Sequence, residues 1–142
     1  MIEYTDSPDG IGPDDLRGGF FGGWPDPPSP KTHLRLLAES DAVVLALEES
    51  GAVVGFVTAI TDGVLCAYIP LLEVLPAYRG GGIGRGLVRR MLSKLDDLYM
   101  VDLLCDPGLR PFYASVGMGP ATGMMVRRYT NQAGRKPPGT IY

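Results

Sequence analysis

The chain has no excess of basic residues: 13 lysines and arginines stand against 16 aspartates and glutamates, a net charge of −3 over 142 residues. Without that excess there is no broad electrostatic hold on nucleic acid or anionic lipid, and a small molecule or peptide is the expected partner. The short basic stretches RRMLSK and MVRRY are too local to reverse this. No apolar run approaches the about 18 residues of a membrane span, and no charged-then-apolar leader opens the chain. The expected location is the cytoplasm.

Metal ligands are scarce as well. The two cysteines, Cys66 and Cys105, lie inside apolar runs without C-x-x-C spacing, and the single histidine, His33, has no ligand partner at metal spacing. No metal site is expected. The cysteines read as reduced core residues, and His33 as a solvated helix residue or a substrate contact.

Glycine and proline are plentiful, with 20 and 13 copies. The length fits one domain, 1–142. Residues 1–31 are rich in glycine, proline and aspartate and predict a loop or short broken helix. In SPKTHLRLLAES, Ser29 is a helix cap, Pro30 a first-turn proline, and Leu34, Leu36 and Leu37 an apolar stripe. AVVLALEES and AVVGFVTAITDG predict a hairpin turning at Ser50-Gly51, and VLCAYIPLLEVLP a third strand. Pro70 inside that run predicts either a bulge or splay, or an edge position in a core strand. Residues 83–95 carry apolar groups at helical spacing. YMVDLLCD then predicts a strand, residues 109–117 a short helix closed by Gly117, GMMVRRYT a last strand, and residues 131–142 a flexible tail. The fold class is α/β, a mixed, mostly antiparallel central sheet flanked by helices.

Between the third strand and its helix lies EVLPAYRGGGIGRGL, with glycines at 80, 81, 82, 84 and 86. A strand end, a glycine turn and a helix start together make an anion site, because backbone N–H groups are left unpaired and can be approached closely. Two familiar phosphate loops do not fit. A P-loop requires Gly-Lys-Ser/Thr five residues after a glycine, but position 87 is leucine. A dinucleotide G-x-G-x-x-G loop finds Arg85, Leu87 or Arg89 where its last glycine belongs.

What remains is Arg79-x-x-Gly82-x-Gly84, preceded by VLPAY. This resembles the acyl-CoA signature R/Q-x-x-G-x-G/A of the GNAT N-acetyltransferase superfamily. DPGLRPFYASVGM is similar to that family's later Asn-x-x-Ala-x-x-Phe-Tyr-x-x-x-Gly-Phe stretch, with Phe112, Tyr113, Gly117 and Met118 in register. The resemblance covers residues of roughly 43–128. Asp106, Leu109 and Met118 depart from it, and Asp106 alone brings a new charge toward the cofactor.

The resemblance implies a GNAT acyltransferase fold and an acetyl-CoA-dependent N-acetyltransferase acting on a primary amine of a small molecule or peptide, by direct attack in a ternary complex. It implies a pyrophosphate cradle of Arg79, Gly80, Gly81, Gly82, Gly84 and Arg85, a cofactor contact at Asp106, and backbone contacts from Leu72 and Val74. Tyr113 matches the family's general acid, against the plainer role of a packed tyrosine. It also makes residues 1–40 the variable, acceptor-side region. There Phe20, Phe21 and Trp24 either line an acceptor pocket, with Asp14, Asp15 or Asp26 attracting a cation, or plug the core.

A general base is needed too, since the amine must lose a proton. Glu73 is the carboxylate within the apolar strand beside the proposed thioester, where desolvation raises its pKa. A salt bridge with Arg79 would remove it from that role, and a water chain competes with it. The alternative function is a non-catalytic CoA-binding sensor or interaction module. Pairing of the last strand with a second subunit, making a homodimer, stays open.

Overall fold

The computed structural model describes residues 1–138. A first strand, β1 (Glu3–Thr5), leads through a 3-10 turn at Pro13–Leu16 to α1 (Pro30–Glu39). Ser29 caps α1 as expected: its Oγ accepts the N–H of Thr32 at 3.1 Å, and Pro30 takes the first turn, where a missing N–H costs nothing. Next come β2 (Ala42–Leu47), β3 (Val53–Thr61), β4 (Cys66–Tyr68) and β5 (Leu72–Val74). After a 3-10 turn at Pro76–Tyr78 follow α2 (Ile83–Lys94), β6 (Met100–Asp102) and α3 (Arg110–Ala114).

The sheet runs β1-β2-β3-β4-β6, with β5 also pairing β3, and every pair is antiparallel except β4 with β6. Side-chain alternation gives it two apolar faces. Val43, Leu45, Val53 and Phe56 meet Leu37 of α1 on one face, while Val44, Ala46, Val54 and Val57 meet Ile83, Leu87 and Met91 of α2 on the other. Leu87 and Met91 are fully buried. Each such side chain contributes about 1.5–3 kcal/mol by leaving water.

The run 64–76 is not one strand. Ile60 stands opposite Tyr68 and Val57 opposite Leu72, so three residues of β3 span four on the other side. The extra residue makes a bulge around Pro70, whose missing N–H could not have served a continuous ladder.

Several expectations are corrected. The N-terminal region holds a strand, because Glu3–Thr5 completes the open edge of β2, with Tyr4 opposite Ala46; three residues are too few to show alternation. GMMVRRYT forms no strand: it is exposed, Met124 at 93 %, and leads into a 3-10 turn at Tyr129–Asn131. Strand propensity alone could not hold it without a paired edge. The helix expected over 109–117 is a 3-10 turn followed by five α-helical residues. The cysteines are free, but neither is buried.

His33 is not solvated. It is 1 % exposed, enclosed by the rings of Phe20, Phe21 and Phe56 at centroid distances of 5.3, 4.9 and 4.5 Å. Residues 131–135, placed in the expected tail, lie against the N-terminal half: the Arg35 guanidinium donates to the carbonyl of Arg135, and the N–H of Asp26 donates to Gln132 Oε1 at 3.0 Å. The tail expected over 139–142 falls outside the described residues. No helix among the described residues is long and apolar enough to cross a membrane.

Candidate active site

β5 is the hinge of the site. Thr58 N–H donates to the Leu71 carbonyl and Leu75 N–H to the Val54 carbonyl, at 3.1 and 2.9 Å, and Glu73 sits opposite Phe56 midway between them. In an antiparallel ladder this phase turns the N–H and C=O of residue 73 toward β3 and those of residues 72 and 74 away from it. β6 pairs with β4 and not with β5. Leu72 and Val74 therefore present backbone groups along an edge that no strand covers among the described residues.

The same phase sorts the side chains. Leu72 and Val74 pack on the α2 face, and Glu73 points to the α1 face, where the loop bearing Phe20, Phe21 and Trp24 crosses over it. Glu73 Oε1 accepts the N–H of Phe21 at 2.8 Å. Burial pushes the Glu73 carboxyl above the usual carboxylate range, and the Phe21 N–H and the Arg79 charge pull it partly back. No ion pair forms with Arg79, whose Nε instead donates to the Val74 carbonyl at 2.9 Å. The competing salt-bridge role is removed, and Arg79 acts as a brace between the edge of β5 and the glycine loop.

The loop itself is exposed backbone. Gly82 is the N-cap of α2 at φ 86°, ψ 4°, a left-handed conformation that side-chain-bearing residues rarely adopt, and no side chain caps the helix. The first intrahelical bond is made by Gly86 N–H, to the Gly82 carbonyl, leaving the N–H groups of Ile83, Gly84 and Arg85 without a helix partner. A Cβ on Gly80, Gly81 or Gly82 would meet nothing within 4 Å. The loop is open rather than packed, which fits an anionic group resting on its backbone.

Gly84 and Gly86 differ from these three. A Cβ on Gly84 would lie 3.5 Å from the Phe112 ring and 3.8 Å from Val74, and one on Gly86 would sit 2.5 Å from the Tyr4 hydroxyl. Both serve close packing, Gly84 between α2, β5 and α3, and Gly86 between α2 and β1. Arg85 reaches across to α3, donating to Ser115 Oγ at 3.0 Å, and Ser115 in turn donates to the Phe112 carbonyl at 2.6 Å.

Tyr113 stands on α3, 9 % exposed, its ring against Phe112 at 5.0 Å. Burial, with a smaller contribution from the neighbouring Cys105, raises its pKa above the ordinary value of 10. Its phenol keeps its proton at neutral pH and can only donate it. Asp106 precedes the turn into α3, where its carbonyl accepts Leu109 N–H at 2.9 Å; its side chain is exposed and caps nothing.

On the acceptor side, Phe20 and Phe21 belong mainly to the aromatic cluster around His33, while Trp24, 37 % exposed, stacks on Phe21 at 4.9 Å. Asp14 pairs with Arg17 at 2.7 Å and Asp15 accepts Gly12 N–H at 2.9 Å. Two features escaped the sequence, the Phe21-to-Glu73 bond and the approach of residues 127–132 to Trp24. Neither has a local signature, because each joins segments dozens of residues apart. No group of three or more His, Cys, Asp or Glu side chains among the described residues is placed to hold a metal.

Residues 13–118 match the family model described as the acetyltransferase (GNAT) family. A structure from Deinococcus radiodurans R1, described as a candidate acetyltransferase, is 48% identical and superposes with a TM-score of 0.93, covering 96% of this chain and 94% of that one. A GNAT-family acetyltransferase from Streptococcus pneumoniae TIGR4 is 27% identical, with a TM-score of 0.73 over 90% of this chain and 98% of its own. Among curated proteins, GCN5-related N-acetyltransferase 3, chloroplastic, of Arabidopsis thaliana is 39% identical over 72 residues. That alignment spans 49% of this chain and 30% of the plant protein.

Proposed function

Because the chain belongs to the GNAT acetyltransferase family, we propose that it moves an acetyl group from acetyl-CoA to a primary amine by direct attack in a ternary complex. The observation that carries this reading is the uncovered edge of β5, with Leu72 and Val74 offering backbone groups on either side of Glu73. Acetyl-CoA supplies the activated thioester; the residues bind, orient and move protons around it.

In this reading the backbone of residues 79–85 cradles the pyrophosphate, helped by the positive end of α2. The N–H of Leu72 or Val74 donates to the thioester oxygen, where negative charge develops. Glu73, on the acceptor face, takes the proton of the attacking amine, and the Phe21 N–H holds its carboxylate in place. Tyr113, protonated at neutral pH, returns a proton to the departing thiolate. Trp24 contacts the acceptor, while Phe20 and Phe21 shape the loop behind it. Asp106 sets the start of α3 and so the position of Tyr113.

The test is release of CoA thiol from acetyl-CoA with a panel of primary amines. Amine-dependent release is expected. Tight CoA binding with no release above hydrolysis for any amine would defeat the reading and leave a binding module.

A further inference from the structure

The segment that forms no strand ends in a second structural feature. Trp24, Arg127, Arg128, Tyr129 and Gln132 line an open pocket of about 350 Å³. It is held from both sides: Asp26 N–H donates to Gln132 Oε1 at 3.0 Å, and Trp24 N–H donates to the Phe21 carbonyl at 3.1 Å. Behind it, the Arg35 guanidinium donates to the Arg135 carbonyl. The C-terminal turn is thereby fixed against the N-terminal loop.

The pocket's chemistry is cationic and aromatic. Ion pairs among the described residues include Met1 with Glu49, Arg17 with Asp14, and Lys94 with Asp6. Neither Arg127 nor Arg128 has such a partner; Arg127 makes only a long 3.4 Å contact to the Val126 carbonyl. Asp26 enters through its backbone, and among the described residues no carboxylate lines the pocket. Two arginines and two aromatic residues share this lining, and a guanidinium offers forked donors matched to a carboxylate or phosphate.

Trp24 links the pocket to Glu73 through two contacts. Trp24 stacks on Phe21 at 4.9 Å, and the N–H of Phe21 holds Glu73 at 2.8 Å. We propose that Trp24, Arg127, Arg128 and Tyr129 form an acceptor subsite for an anionic group, so that the acceptor is a small amine that also carries a carboxylate or phosphate. The amine end of this assignment rests on the acetyltransferase reading; the anion end rests on the pocket alone.

Trp24 is the single tryptophan of the chain, so its fluorescence reports occupancy without turnover. Matched probes at constant ionic strength are O-phosphoethanolamine against ethanolamine, and β-alanine against β-alaninamide. The anionic member of each pair is expected to change the emission saturably and its counterpart not to, which also separates phosphate from carboxylate preference. The double variant Arg127→Ala/Arg128→Ala is expected to weaken that response roughly tenfold or more. It should raise KM for anionic acceptors by a similar factor and leave KM for acetyl-CoA and the melting temperature unchanged. Equal responses to both members of each pair, or a double variant that titrates like the parent, would overturn the subsite. Saturable anion binding without thiol release from any amine would instead uphold the subsite and defeat the acetyltransferase reading. Release from neutral or cationic amines with no anion preference would do the reverse.

Discussion

The backbone N–H of Phe21 donates to Glu73 Oε1 at 2.8 Å, across 52 positions of sequence. One hydrogen bond thus ties the loop bearing Phe21 to the carboxylate of β5 and holds that carboxylate on the α1 face of the sheet. Burial raises the pKa of Glu73 while the N–H supports its ionised form, the mixed character that the proposed base role calls for.

Glu73→Gln tests the base. The acid limb of kcat/KM in the wild type is expected to inflect above 4.5, the ordinary carboxylate value, and to disappear in the variant, with activity down about 10²-fold or more. The stability effect has the opposite sense. A raised folded pKa means the folded chain holds the proton more tightly, so wild-type stability falls as pH rises from 4.5 toward that value. The Gln variant lacks this fall, and thermal melts of the two proteins at pH 4.5 and 7 check it. An unchanged acid limb would assign the proton to water.

Tyr113→Phe removes the donor and keeps the ring. The expected loss in kcat is about 10²–10⁴-fold, with KM for acetyl-CoA nearly unchanged, because a group acting only in the transition state affects kcat and kcat/KM alike. Steady-state kinetics at saturating amine decide it. A variant that retains wild-type kcat would make Tyr113 a packing residue.

Gly82→Ala tests the loop. The left-handed backbone at φ 86° should cost a β-carbon about 1–2 kcal/mol, seen as a lowered melting temperature and weaker CoA binding by calorimetry. Gly81→Ala is the control: it has no left-handed φ and nothing within 4 Å of a new Cβ. Its melting temperature should match the wild type. Equal melting temperatures for the two variants would contradict the conformational role of Gly82.

His33→Leu probes the aromatic core. Burial lowers the imidazole from 6.5 to about 4, and its Nε2 has no hydrogen-bond partner. The unfolded chain therefore takes up this proton first as pH falls. The stability due to the neutral buried ring is present above pH 6.5 and is lost as pH falls toward about 4. Melting temperatures measured from pH 7 to 4 should fall less steeply in the Leu variant. Parallel curves would place the acid sensitivity elsewhere.

The local elements were largely legible. Ser29 and Pro30 marked the start of α1, the spacing of Ile83, Leu87 and Met91 marked the buried face of α2, and Pro70 marked the break between β4 and β5. These signals act within a few residues. His33 and the run 123–130 misled for one reason: burial and strand pairing depend on neighbours that arrive from far along the chain.

By itself, the sequence determined where backbone could turn and which faces were apolar, properties of φ/ψ preference and periodicity fixed by adjacent residues. The spacing of Arg79, Gly82, Gly84 and Tyr113 added a resemblance to a family of acyl-CoA enzymes. Only the tertiary structure decided that Leu72 and Val74 face an uncovered edge, that Glu73 is held by Phe21 rather than by Arg79, and that Trp24 meets Arg127 and Arg128. A one-residue bulge set the phase of β5, and the hydrogen bonds of Gln132 with Asp26 and of Arg135 with Arg35 hold the C-terminal turn against the N-terminal half.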